Sequence, residues 1–294
     1  MENLELKTIE IELHNFCNRK CAWCPMSMYD RGDKYIELDQ QTFKKIMYEL
    51  KELGMDNANS LIHFSGFYEP MANIKLLKSR ISFARNIMPN ARYCINTNGD
   101  YVTKENLSGL YLDKLDIMDY DNKNMSEEEL GKLGILIYRY NSSSGRKIGI
   151  SKNIPLIVYR SNWAEYAHLE DRAGSLKEDI YHNEKKVAWA YDKAIRNRPC
   201  REPKLHPVID CHGNLLPCCH FGNFIPQHRK YILGNVKKNT IKEILSSKKA
   251  QQLIKVLDSH NYNEYPEVCK YCNKYRIERD SNKTTRPQGR QLLC

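Results

Sequence analysis

The chain has 294 residues, 41% hydrophobic and 28% charged, ordinary values for a soluble globular protein of one large domain or one medium and one small domain. No run of about 18 apolar residues occurs and Met1–Glu5 lacks a basic and then apolar start, so neither a membrane span nor secretion is expected. The formal charge of +10 fits a solvated lysine-rich exterior better than it fits an acidic or phosphorylated small-molecule substrate, while nucleic acid is disfavoured because no RNP-type aromatic motif or long basic arm occurs.

Thr8-Ile9-Glu10-Ile11-Glu12-Leu13 alternates polar and apolar residues and predicts a first strand. Cys17, Cys21 and Cys24 follow it in a C-x3-C-x2-C loop. Phe43, Ile46, Met47 and Leu50 at helical spacing predict a helix over 39–53, stopped by Gly54. Leu61–Phe64 is the second strand, with Ser65-Gly66-Phe67-Tyr68-Glu69-Pro70 behind it. A helix over 74–87 ends before Pro89, and a third strand over 91–96 is closed by Thr97-Asn98-Gly99-Asp100. A short helix over 104–111, a strand over 115–120, a helix over 126–133, and strands over 135–140 and 154–159 complete six βα units. Such repetition implies an α/β fold with a parallel sheet and right-handed crossovers. A helical stretch over 176–196 leads to a region where cysteine spacing replaces the alternation. The boundary is therefore placed near residue 176, giving parts 1–176 and 177–294. The segment 279–290 is polar and loose.

Eleven cysteines in a chain not expected to be secreted argue for metal ligation in a reducing cytoplasm rather than for a disulfide framework. Three of them at C-x3-C-x2-C can hold one [4Fe–4S] cube by three irons, leaving the fourth iron open for chemistry. A zinc knuckle is the alternative, but it would want a fourth ligand at short range, and His14 is poorly placed for that. On this motif the chain resembles the radical S-adenosylmethionine (radical SAM) superfamily. The resemblance implies a partial (β/α)6 barrel whose functional groups gather at the C-terminal ends of the strands. It also implies SAM chelated to the open iron, and its one-electron cleavage to methionine and a 5′-deoxyadenosyl radical. An external one-electron reductant of the flavodoxin or ferredoxin type would supply that electron.

The same resemblance assigns SAM-binding roles. Trp23 stands where the family places an aromatic residue near the adenine. Ser65, Gly66, Tyr68 and Glu69 match in part a Gly-Gly-Glu-Pro-like motif that accepts hydrogen bonds from the SAM amino group, with Tyr68 where many relatives carry Gly. Thr97-Asn98-Gly99 resembles the family's T-N-G turn, from which Asn98, or Asn96 just before it, would face the cleft. Asp119, Tyr120 and Asp121 follow the fourth strand, where relatives contact the ribose or the substrate. Arg172, in a turn resembling N-R-A-G but with Asp171 in place of Asn, is placed near SAM or the domain junction.

Cys200, Gly213, Cys218 and the pair Cys269 and Cys272 follow the order of a twitch domain, a shortened SPASM domain. That resemblance implies one auxiliary [4Fe–4S] cluster saturated by Cys200, Cys218, Cys269 and Cys272. Ile277 and Glu278 pass without the next cysteine of a full SPASM domain. A structural zinc, or Cys211 or Cys219 in place of a neighbour, stays open. Cys94 reads as a buried thiol and His63 as a packed core histidine, while His206, His212 and His220 read as surface residues or outer-sphere partners.

One saturated auxiliary cluster is found in dehydrogenases of aminoglycoside biosynthesis. The resemblance therefore implies oxidation of a sugar or cyclitol hydroxyl, with the auxiliary cluster as electron acceptor. In that reading Arg160, at the end of the sixth strand, positions the substrate, and Asp119 or Asp121 accepts the hydroxyl proton. Peptide modification and a non-catalytic electron carrier are the alternatives.

Overall fold

The structure, a computed structural model, describes residues 5–21, 24–32, 34–117, 135–139, 146–150, 180–182, 185–188, 196–270 and 272. Four parallel strands lie side by side in chain order: β1 (Thr8–Ile11), β2 (Leu61–His63), β3 (Arg92–Thr97) and β4 (Lys114–Ile117). Their register sets Glu10 beside His63, His63 beside Cys94, and Asn96 beside Asp116.

Helices α1 (Gln40–Glu52) and α2 (Ile74–Ile87) cover one face of this sheet. Asp39 caps α1 by accepting the Thr42 N–H at 2.8 Å, and Asn73 caps α2 by accepting the Leu76 N–H at 3.2 Å. Ile9, Ile11, Ile62, Phe64, Tyr93 and Ile95 pack with Phe43, Ile46 and Leu50 of α1 and Leu77 and Ile81 of α2. Each such side chain stabilises the fold by roughly 1.5–3 kcal/mol. The helix expected over 104–111 is shorter, α3 (Lys104–Leu107), because Gly109 follows with φ of 71°.

Two segments differ from expectation. β5 (Ile135–Arg139) is a strand as expected, but it pairs antiparallel with β6 (Arg146–Ile150) in a two-stranded sheet. The stretch read as helix over 176–196 contains β7 (Ile180–His182) and β8 (Lys185–Ala188), an antiparallel pair in which Ile180, Tyr181 and Val187 favour strand over helix. The strand expected over 154–159 and the helix over 126–133 lie outside the described residues.

Beyond the short helix α4 (Glu202–Leu205), the chain returns to the first sheet. β9 (Val208–Ile209) runs parallel to β1, and β10 (Asn214–Leu216) and β11 (Gly234–Asn235) extend the sheet antiparallel. The order is therefore β11-β10-β9-β1-β2-β3-β4, a seven-stranded mixed sheet with the N-terminal strand near its centre. The last helices, α5 (Ile241–Ser246), α6 (Lys248–Leu257) and α7 (Glu267–Lys270), follow β11. α1 joins the two regions: Lys45 Nζ donates to the Val236 carbonyl at 2.6 Å, and Glu49 accepts the Ile241 N–H at 2.8 Å. Among the described residues no helix is long and apolar enough to cross a membrane.

Candidate functional site

The loop after β1 carries Cys17, Cys21 and Cys24, each partly exposed. Cys24 N–H donates to the Cys21 carbonyl at 2.9 Å, and the Ser27 hydroxyl donates to the same oxygen at 2.7 Å, so two of the thiols sit on one tight turn. Burial pushes the Cys17 thiol up to about 12, and Glu69, Cys24 and Cys21 beside it add to the rise. A half-buried set of three thiols near a carboxyl stays protonated unless cations arrive, and bound iron would hold it as thiolates. The donor set therefore fits an iron–sulfur cluster with one iron lacking a protein thiolate.

Neighbouring strand ends stitch this loop in place. Asn18 and Arg19 both bind the Asp100 carboxylate behind β3, and the Asn98 side-chain amide donates to Asn18 Oδ1 at 2.8 Å. The Phe16 carbonyl accepts the Glu69 N–H at 2.9 Å. Glu69 itself accepts from Thr97 Oγ1 at 2.6 Å, Asn98 N at 2.8 Å and Met71 N at 2.9 Å. Burial nevertheless pushes its carboxyl up to about 7, against those donors. Gly66 has a φ of 144°, and a Cβ there would lie 2.5 Å from Glu12 Oε1. That carboxylate binds the Phe67 N–H at 2.7 Å and Arg31 at 3.0 Å, so only glycine lets the turn close over it. Tyr68 is 6% exposed and its hydroxyl donates to the Ile11 carbonyl at 3.3 Å, so the cleft meets its backbone rather than its ring.

The sheet face opposite α1 and α2 is buried yet polar. Glu10, Glu12, His63, Ser65, Asn96 and Asp116 alternate with the apolar residues that face the helices. Asn96 Oδ1 and Asp116 Oδ1 are buried without a hydrogen-bond partner among the described residues. Burial pushes the Asp116 carboxyl up, with Lys114 at 2.6 Å opposing it. Sequence reasoning passed over Asp116, although the alternation Lys114-Leu115-Asp116-Ile117 carried the signal.

Cys200, Cys218, Cys269 and Cys272 line one cavity together with Arg196, Glu202 and His220. Cys272 N–H donates to the Cys269 carbonyl at 3.3 Å, and Cys200 N–H to the Leu257 carbonyl. Burial pushes Cys200 up to about 11 and Cys269 well above the usual thiol range, with neighbouring cysteines adding to both. Arg196 is 1% exposed, and its guanidinium donates to the Arg198 carbonyl at 2.7 Å and the Cys272 carbonyl at 3.2 Å. Four soft sulfur donors beside one buried cation fit a fully ligated anionic iron–sulfur cluster. The walls of this cavity do not include Cys211 or Cys219. The Asp210 turn that connects β9 and β10 is held by its carboxylate, which accepts from His212 N at 2.9 Å and Asn214 N at 2.8 Å.

Of the other residues singled out from the sequence, Ser65, Asn96 and Asn98 gather with the first loop at the strand ends. Asn98 is committed to Asn18 and to the Asp100 N–H. Trp23, Asp119, Tyr120, Asp121, Arg160 and Arg172 lie outside the described residues.

Comparison with known proteins agrees with this geometry. Residues 200–273 match SPASM, an iron–sulfur cluster-binding domain family. The chain is 26% identical over 270 residues to the S-adenosyl-L-methionine-dependent 2-deoxy-scyllo-inosamine dehydrogenase of Niallia circulans, covering 92% of this chain and 94% of that one. Its fold matches the crystal structure of BtrN in complex with AdoMet and 2-DOIA with a TM-score of 0.62 at 22% identity, over 91% of this chain and 93% of that one. Native anSMEcpe with bound AdoMet matches with a TM-score of 0.53 at 12% identity, over 89% of this chain and 88% of that one. Residues 200–273 are thus similar to an iron–sulfur cluster-binding domain, and the chain is similar along nearly its whole length to an S-adenosyl-L-methionine-dependent dehydrogenase. The α/β fold shared with these structures and the C-terminal iron–sulfur domain match are those that the resemblance implied.

Proposed function

We propose that this chain is a radical SAM dehydrogenase that oxidises a secondary alcohol of a small polar ring compound, a cyclitol or sugar, to the ketone. The observation that carries the reading is the four-thiol cavity, whose lining residues Pro217 and Cys218 directly follow β10 of the same sheet that holds the open three-thiol loop. Similarity along 92% of the chain to a cyclitol dehydrogenase supports the substrate class. When bound, SAM and its cluster supply a hydrogen-abstracting radical after one-electron reduction by a flavodoxin- or ferredoxin-type partner. The substrate would give up a carbinol hydrogen atom and a hydroxyl proton, and a cluster held by Cys200, Cys218, Cys269 and Cys272 would supply the acceptor for the remaining electron, so two electrons and two protons are accounted for.

The chain's own part is holding and proton transfer. Cys17, Cys21 and Cys24 hold the first cluster and Cys200, Cys218, Cys269 and Cys272 the second. Trp23, Ser65, Gly66, Tyr68, Glu69, Asn96, Asn98, Tyr120 and Arg172 hold SAM. Glu69, raised to about 7, is well placed to gain from a nearby ammonium group. Arg160 positions the substrate hydroxyl, and Asp119 or Asp121 takes its proton. Residues 1–176 form the radical-generating part and 177–294 the auxiliary-cluster part. The +10 charge favours an acidic or phosphorylated form of the substrate, and the thiol-rich sites suit a reducing cytoplasm.

The test is anaerobic incubation with SAM, dithionite and a panel containing 2-deoxy-scyllo-inosamine, other cyclitols and sugars. The reading predicts 5′-deoxyadenosine and a ketone in equal amounts with at least one of them. No substrate-dependent ketone from a panel that includes phosphorylated forms contradicts it. Arg160→Ala should keep SAM cleavage and lose about 100-fold in product formation, the scale for removing one positioned electrostatic group.

A further inference from the structure

The polar face of the sheet holds a cluster that neither cysteine site uses. Glu10 on β1, His63 on β2 and His206, just before β9, bring one ligand atom each to within 4.8 Å of one another. His63 Nδ1 lies 3.5 Å from Glu10 Oε2, and His206 Nε2 lies 3.7 Å from the same oxygen. The three residues are 2%, 0% and 6% exposed in the order Glu10, His63, His206. None of the three converging atoms has a hydrogen-bond partner among the described residues.

The far side of each ring is engaged. His206 Nδ1 faces Glu202 Oε2 at 3.5 Å. A carboxylate only accepts, so Glu202 keeps the proton of a neutral His206 on Nδ1 and leaves a lone pair on Nε2. His63 Nε2 meets Ser65 Oγ at 2.9 Å, a hydroxyl that also accepts the Asn96 N–H at 2.7 Å. With Ser65 accepting from His63, Nδ1 likewise carries a lone pair. Two imidazole nitrogens and a carboxylate oxygen then converge in a buried space. Buried acceptors left in this state are costly, and a cation removes the cost.

Two histidines and one carboxylate form a donor set that zinc takes, with a fourth position left open. Ligand atoms about 2.0–2.2 Å from a tetrahedral ion stand roughly 3.3–3.6 Å apart, close to the spacing already present. A carboxylate or hydroxyl behind each ring is also how ligating histidines are commonly oriented. We propose that Glu10, His63 and His206 bind one divalent transition-metal ion of zinc-like preference on the inner face of the sheet, apart from both iron–sulfur sites. The competing occupant is a proton: against burial, Cys94 and Glu10 favour His63 in its charged form, up to about 10.

Metal content separates the two. The protein is reconstituted with iron and sulfide in the presence of zinc, desalted anaerobically, and analysed by mass spectrometry. The proposal expects about one zinc per chain beside the cluster iron, and its loss in His63→Ala and in Glu10→Gln with iron content unchanged. The zinc absorption edge of wild-type protein should show nitrogen and oxygen neighbours only. Absence of zinc from wild-type protein, zinc that survives both substitutions, or sulfur in its coordination sphere overturns the proposal. Where a substitution also costs iron through misfolding, the wild-type edge spectrum alone decides.

Discussion

Cys17, Cys21 and Cys24 come from one loop, whereas Cys200, Cys218, Cys269 and Cys272 converge from separate segments on one cavity, in which Cys269 is buried. Polar stitches brace the first site: Asp100 to Asn18 and Arg19, Asn98 to Asn18, and Glu69 to Thr97. Apolar packing of Phe221, Leu257 and Tyr265 encloses the second, with Arg196 as its buried cation. A cluster on a braced loop can leave one iron open to a ligand and still be dispensable to the core. A cluster that ties distant segments together is part of the fold, and full ligation suits it to carrying an electron.

The sharpest way to break this comparison is to empty each site in turn. Replacing Cys17, Cys21 and Cys24 together by Ala should abolish SAM cleavage and remove about half of the iron, four of about eight atoms. The thermal midpoint should stay within about 3 °C of wild type, measured by circular dichroism. Cys269→Ala should behave in the opposite way. It should lower stability by about 3 kcal/mol or more in anaerobic denaturant titration, because the remaining segments lose the metal that joins them.

A subtler change sharpens the first half of the contrast. Gly66→Ala puts a Cβ against Glu12 in a backbone conformation disfavoured for side chains. It should cost about 2 kcal/mol and weaken iron retention at the three-cysteine loop alone. The smallest effect is expected at the helix that joins both regions. At α1, burial raises the Asp39 carboxyl, but the Thr42 N–H, the Thr42 hydroxyl and Lys237 together outweigh it and hold the carboxyl at about 2 against an ordinary 3.8. A depressed carboxyl contributes stability above its unfolded value and loses it as pH falls through the folded one. Asp39→Ala should therefore cost about 1 kcal/mol at neutral pH, with the deficit closing as pH drops below about 4, and should leave both iron contents unchanged.

Both sites were legible because thiol ligation imposes spacing, and spacing survives in a sequence. The helix over 74–87 was equally plain, since Pro89 and the apolar period bound it. Long-range pairing left no such mark. β9 beside β1 joins residues nearly two hundred positions apart, and nothing local in Val208-Ile209 names its partner. The stretch 176–196 was read as helix, whereas its residues 180–182 and 185–188 pair as antiparallel strands, and Ile180, Tyr181 and Val187 have high strand propensity. Arg196 lies in a run of Arg and Asn that names no partner, and folding buries it against the cysteines. His63 was read as a packed core residue; it is fully buried, but its ring faces Glu10 rather than apolar neighbours.

The division of labour between the two sites is tested most directly by electron paramagnetic resonance of the dithionite-reduced protein, recorded with and without SAM. Two cluster signals are predicted, each integrating to about one spin per cluster when fully reduced. SAM should alter one of them and leave the other unchanged, and the Cys17, Cys21, Cys24 triple variant should retain only the insensitive signal. A single signal from fully reconstituted wild-type protein, or a SAM-dependent change that persists in the triple variant, would contradict the account.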